Sequence, residues 1–134
     1  MVVLGADDTV NAGAGTNLIL TGAGHDVINS TGSDLIAAGD IGAATINAGA
    51  NSPVAYFGPG TTVFNAGSGN ATVVSTVGHD TINANGGTQI WLGAGQGVVN
   101  TTGADSINAT SGNAFLFAGA GPYRAPCCLL APGP

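Results

Sequence analysis

The stretch TGAGHDVINSTGSDLIAAG spans residues 21–39. It carries two apolar centres, Ile28 and Ile36, and each follows a glycine and an aspartate: Gly24 and Asp26 before the first, Gly32 and Asp34 before the second. Glycine gives the backbone access to positive φ, and aspartate bonds to its own turn, so both mark tight corners. The segments between corners are short, and their apolar residues do not recur at the three- and four-residue spacing of a helix. The local reading is therefore turn, strand, turn, strand.

Outward from this stretch the same unit repeats along the chain. Its centres are Val10, Ile19, Ile28, Ile36, Ile46, Ala55, Phe64, Val73, Ile82, Trp91, Val99, Ile107 and Leu116, at steps of eight to ten residues. A second periodicity is independent of the first. Asn11, Asn29, Asn47, Asn65, Asn83 and Asn100 follow alternate centres at steps of 18, 18, 18, 18 and 17. One coil is thus two units, and alternate units belong to opposite sheets. The expected fold is all-β, a parallel β-solenoid or β-roll with two short strands per coil. About six and a half coils at ~4.8 Å each predict a stack roughly 30 Å long. No segment could serve as the crossover helix that an ordinary parallel sheet needs.

The repeat domain is placed at residues 1–120. Residues 121–134, GPYRAPCCLLAPGP, break the pattern with four prolines and are read as an irregular tail or cap, since proline cannot join a strand ladder. Adjacent Cys127 and Cys128 are poorly placed to bridge each other and are read as idle thiols or an intermolecular link. The opening MVVLGADD has neither a basic segment nor a long apolar run, so it is not expected to be a signal peptide. Met1 leading straight into repeat sequence suggests a piece of a longer protein.

Composition narrows the partners. The chain has 24 glycines, one cation (Arg124) and seven acids, all aspartate, for a net charge of −6. Binding to nucleic acid phosphates has no electrostatic basis. No apolar run approaches the ~20 residues of a membrane-spanning helix, so membrane insertion is not expected. Gly13-x-Gly15 and Gly22-x-Gly24 are read as solenoid corners, because no helix follows them and similar glycines recur down the chain. His25 and His79 precede Asp26 and Asp80 in the variable turn position and are read as solvent-exposed. No nucleophile recurs beside them, and an enzyme is not expected.

The segment TGAGHDVIN (21–29) resembles the RTX calcium-binding nonapeptide G-G-x-G-x-D-x-U-x, lacking only its first glycine. AGAGTNLIL (12–20) fits with Asn17 in the aspartate slot, and NSTGSDLIA (29–37), STVGHDTIN (75–83) and NTTGADSIN (100–108) keep the second half. The resemblance covers residues 2–120 in degenerate copies. It implies a secreted or cell-surface protein that folds with the help of Ca²⁺ held between successive corners. Such a site needs six to eight oxygens at 2.3–2.6 Å, from turn carbonyls and aspartates of neighbouring coils. Slots on one side run Asp8, Asp26, Ala44, Thr62, Asp80, Gly97, and on the other Asn17, Asp34, Pro53, Ala71, Gln89, Asp105. Only Asp8/Asp26 and Asn17/Asp34 are consecutive. One or two weak calcium sites are therefore expected in the first third, from Asp8, Gly22, Gly24, Asp26, Asn17, Gly32 and Asp34. Asp80 and Asp105 are secondary candidates.

Side chains alternate across a strand, so the neighbours of each centre point outward. On one sheet these are Thr9/Asn11, Val27/Asn29, Thr45/Asn47, Val63/Asn65, Thr81/Asn83 and Val98/Asn100, a flat array similar to the Thr-x-Asn faces of ice-binding solenoids. The asparagines are read as a structural amide ladder. On the other sheet the outward residues include Leu18, Leu20, Leu35, Val54, Tyr56, Ile90 and Leu92, an apolar face expected to pack on a second copy. A register slipped by one would bury this set and expose Ile19, Ile36 and Trp91 instead. The functional expectation is a structural or adhesive segment, with ice binding as the alternative.

Overall fold

The computed structural model describes residues 1–39, 42–49 and 53–119; the expectations for the 121–134 tail and its cysteines lie outside them. Fourteen strands and no helix make up this part of the chain. One sheet (sheet A) contains β1 (Val2–Val3), β3 (Leu18–Leu20), β5 (Leu35–Ala38), β7 (Val54–Phe57), β9 (Thr72–Ser75), β11 (Gln89–Leu92) and β13 (Ser106–Ala109) in that spatial order. The other (sheet B) contains β2 (Thr9–Ala12), β4 (His25–Ser30), β6 (Ala43–Ala48), β8 (Thr61–Asn65), β10 (His79–Ala84), β12 (Gln96–Thr101) and β14 (Asn113–Ala118). Every pairing is parallel and joins strands one coil apart, as in β4 with β6 and β5 with β7. The chain is a β-solenoid of about six turns with two strands per coil, as the paired periodicities require.

The inward centres stack in two columns. Val10, Ile28, Ile46, Phe64, Ile82, Val99 and Leu116 form one. Ile19, Ile36, Ala55, Val73, Ile90 and Ile107 form the other. Most of these side chains are fully buried. The smallest centre, Ala55, shares its strand with Phe57, whose ring lies 6.0 Å from that of Phe64 across the core. Large and small residues thereby fill one narrow layer.

One strand departs from the expected register. In Gln89–Leu92 the inward residues are Ile90 and Leu92, while Trp91 is 38% exposed. Three consecutive apolar residues leave alternation unable to choose between faces. The ladder decides: Ile90 pairs with Val73 on one side and Ile107 on the other, continuing a column of buried branched aliphatics. The same shift puts Thr88 in the corner slot assigned above to Gln89.

Corners bring backbone onto backbone. A Cβ on Gly32 would lie 2.2 Å from the carbonyl oxygen of Gly15 one coil earlier. Gly24 adopts φ +110°, and a Cβ there would approach the Asp7 nitrogen to 2.8 Å. Glycine is needed at these corners for close stacking as much as for its dihedral freedom.

The asparagine column forms a continuous amide ladder on the outer face of sheet B. The Nδ2 of Asn29, Asn47, Asn65, Asn83 and Asn100 each donates to the Oδ1 of the asparagine one coil earlier, at 2.8–2.9 Å. In the last rung Phe117 takes the position above Asn100 and ends the series.

Three substitutions test this architecture. Asn65→Ala removes two ladder bonds and Asn100→Ala one, so the first costs about twice the second, on the scale of ~0.5–1.5 kcal/mol per bond. Gly32→Ala overpacks its corner and costs about 1–3 kcal/mol. Urea midpoints measured for the three variants against the parent chain check both expectations.

Candidate functional site

The corners hold the chain's buried polar chemistry. Asp26, Asp34, Asp80 and Asp105 lie at the first inward position after their turns and are almost wholly buried. Each carboxylate joins two parts of the stack. One oxygen accepts the backbone N–H of the slot residue one coil earlier: Asp8 to Asp26 (3.0 Å), Asn17 to Asp34 (2.8 Å), Thr62 to Asp80 (3.0 Å) and Thr88 to Asp105 (2.9 Å). The other oxygen accepts a donor four or five residues upstream on the same coil. That donor is the Gly22 N–H for Asp26 (3.2 Å), the Ser30 hydroxyl for Asp34 (2.7 Å), the Ser75 hydroxyl for Asp80 (2.5 Å) and the Thr101 hydroxyl for Asp105. Asn17 Nδ2 gives Asp34 a third donor at 2.9 Å. A buried carboxylate is costly unless donors surround it, and these donors do so.

Ser30, Ser75 and Thr101 were not singled out from sequence. The signal was available as a hydroxyl residue four or five places before each slot aspartate: STGSD (30–34), STVGHD (75–80) and TTGAD (101–105). The threonines that follow them add a second stitch. Thr31 and Thr76 hydroxyls donate to the carbonyls of Ala12 (3.1 Å) and Phe57 (2.9 Å) one coil earlier. Thr88 is the exception among slot residues. Its backbone serves Asp105, but its buried hydroxyl has no hydrogen-bond partner, an arrangement that costs on the order of 1–3 kcal/mol.

The residues expected to hold calcium meet at these corners, but as hydrogen-bonding partners. Asp8 is half-buried and accepts the Gly5 N–H at 2.6 Å. The carbonyls of Gly15 and Gly24 accept inter-coil bonds from Ser33 (2.8 Å) and Ala43 (2.7 Å), so they point along the stack. Gly22 presents its N–H to Asp26, and Gly32 lies against Gly15. Calcium requires converging oxygens, whereas the groups that converge on these carboxylates are N–H and O–H donors. No set of three or more His, Cys, Asp or Glu converges among the described residues. In this arrangement each buried slot carboxylate is met by the chain's own donors.

Asp80 carries a further electrostatic signature. Burial pushes its pKa above the ordinary carboxylate value, a rise partly offset by its bonds to Ser75 and Thr62 and by the charge of nearby His79. The two histidines themselves are exposed. His25 stands over Asp7 of the preceding coil, with Nδ1 3.4 Å from Oδ1 and its backbone N–H donating to the same oxygen at 2.7 Å. Asp7 adopts φ +59°, the left-handed conformation.

The two outer faces differ in kind. Sheet B presents the amide ladder beside a column in which threonine and valine alternate: Thr9, Val27, Thr45, Val63, Thr81, Val98. A shallow groove opens at the end of the ladder between Asn65, Asn83, Asn100 and Phe117, with no titratable side chain in its lining. Sheet A presents Leu18, Leu35, Val54 and Thr72 in one outward column and Leu20, Ala37, Tyr56, Val74 and Trp91 in the next. Leu35, Tyr56 and Trp91 are 39%, 47% and 38% exposed. Ile90 and Leu92, expected on this face, are buried in the core at 1% and 4% exposure; Trp91 and Gln89 stand outside in their place.

The corner geometry predicts the behaviour of Asp80. Its folded pKa is raised, so its contribution to stability is fully present below the unfolded value of 3.8 and is lost as pH rises through the folded value. Asp80→Asn keeps an acceptor for Thr62 and carries no charge, so its stability rises relative to the parent chain between acid and neutral pH. Asp80→Ala leaves the Thr62 N–H and Ser75 hydroxyl unpaired and costs about 2–4 kcal/mol. Thermal melts of both variants across that pH range provide the check. No family model, curated protein or solved structure matches this chain.

Proposed function

We propose that the chain is a non-enzymatic scaffold segment of a secreted or surface protein, and that the outer face of sheet A associates with a second copy. The observation that supports this is the composition of that face. It displays Leu18, Leu20, Leu35, Val54, Tyr56, Val74 and Trp91 in two adjoining columns, with no charged residue among them on a chain of net charge −6. Contiguous apolar faces rimmed by polar groups mark association surfaces. The aspartates that could serve acid–base chemistry are committed to corner hydrogen bonds.

Magnitude sets the kind of association. Six rungs at ~4.8 Å, with strands of about four residues, give a face of roughly 350–400 Å² per copy. A stable dimer buries about 800 Å² per partner. The face therefore supports a weak, concentration-dependent contact, suited to many segments acting side by side. Salt screens the repulsion between two acidic copies and so strengthens it.

A second reading has its own support. The amide ladder and the alternating threonines make the sheet B face flat and regular, the geometry that an ice-binding surface uses. Thermal hysteresis abolished by Thr45→Leu and Thr81→Leu, in variants that still fold, would favour this reading over association through sheet A.

Sedimentation velocity tests the principal reading. The sedimentation coefficient is expected to rise as concentration increases toward about 1 mM, and to rise further with added salt. The triple variant Leu35→Thr, Tyr56→Thr, Trp91→Thr keeps its strand circular dichroism and loses the rise. A parent chain that stays monomeric throughout the range overturns the proposal.

A further inference from the structure

We infer that this solenoid folds and persists without calcium, because donors supplied by the chain itself take the place that a cation would hold at its aspartate corners. The resemblance to calcium-binding nonapeptides implies metal-assisted folding, and the corner chemistry points the other way.

A buried carboxylate must have its charge met by a cation, by donors or by protonation. At three corners the chain provides a hydroxyl that faces the aspartate from the same coil: Ser30 to Asp34, Ser75 to Asp80 and Thr101 to Asp105. The second carboxylate oxygen takes a backbone N–H from the coil before. Donor hydrogens repel a cation, so a calcium ion approaching either oxygen would compete with the donor already on it. The Asn17/Asp34 pair, one of the two consecutive slots expected to bind metal, is the most fully occupied, with three donors on one carboxylate.

The pattern also follows how much of the nonapeptide each corner retains. Asp26 belongs to the copy with two of its three glycines in place, Gly22 and Gly24, and alone among the four buried aspartates it lacks a hydroxyl; Gly22 N–H takes that role. The corners with fewer motif glycines, at Asp34, Asp80 and Asp105, are those that carry the Ser or Thr. Among these four buried aspartates, loss of motif glycines and gain of a hydroxyl donor go together, as expected if one mode of satisfying the aspartate replaces the other; half-buried Asp8 has neither and accepts the Gly5 N–H. Scaffold assembly would then need no calcium gradient.

The test uses the full chain, stripped with a chelator, with circular dichroism, thermal melting and calorimetry in chelator and in calcium. Strand circular dichroism in chelator, a Tm unchanged by calcium up to ~10 mM, where extracellular modules saturate, and no heat of binding are the expected results. Unfolding in chelator, or a saturable rise in Tm of several degrees, overturns the inference. A binding heat that disappears in Asp26→Asn overturns it as well. The variants Ser30→Ala and Ser75→Ala are expected to melt lower in both buffers by the same amount, and calcium that restores either one counts against the inference. Because none of these readouts depends on self-association, a failure here is distinguishable from a failure of the sheet A proposal.

Discussion

Among the described residues, each strand hydrogen-bonds to the strands one coil before and after it, and that ladder governs everything else. It forces each coil to close in 17 to 19 residues, as the stacked centres show. It also forces corners of successive coils into backbone contact, which is why a Cβ at Gly32 has no space. Like residues come to stand over like. A parallel in-register stack turns one favourable pair into a column, as the five amide bonds between six asparagines show.

The same ladder makes room for buried carboxylates. At four corners the first inward position faces a backbone N–H of the previous coil. An aspartate there accepts it, and a Ser or Thr at the end of the preceding strand reaches the other oxygen. The corner is thereby sewn in two directions, along the stack by the N–H and around the coil by the hydroxyl. Three corners are sewn in this way and a fourth, at Asp26, uses the Gly22 N–H in place of the hydroxyl; each stakes part of the fold on a buried polar group that must stay satisfied. Asp80, whose pKa is pushed up by burial, is the stitch where desolvation outweighs its donors.

A rigid ladder also separates the two faces. Inward positions are fixed by the core, so outward positions are free to differ between sheets: a self-bonded amide ladder beside alternating threonine and valine, ending at exposed Phe115 and Phe117, on sheet B, and an apolar face on sheet A. The association proposed for sheet A and the lattice-like regularity of sheet B are consequences of one register read from its two outer sides.

The repeat was legible from the sequence alone. A nine-residue alternation of corner and centre with an eighteen-residue asparagine period admits few folds besides a two-stranded coil, since both signals depend on local dihedral preference and on like stacking over like. The asparagine ladder and the buried position of most centres followed directly. Tertiary structure decided what the period could not. Alternation is silent where Ile90, Trp91 and Leu92 are all apolar, and only the neighbouring columns of Val73 and Ile107 select which of them enters the core. The roles of the aspartates were equally beyond the period. A motif records that a carboxylate sits at a corner, but which donors or ions meet it depends on groups four or five residues upstream and a whole coil away, and these come together only when the chain has wound.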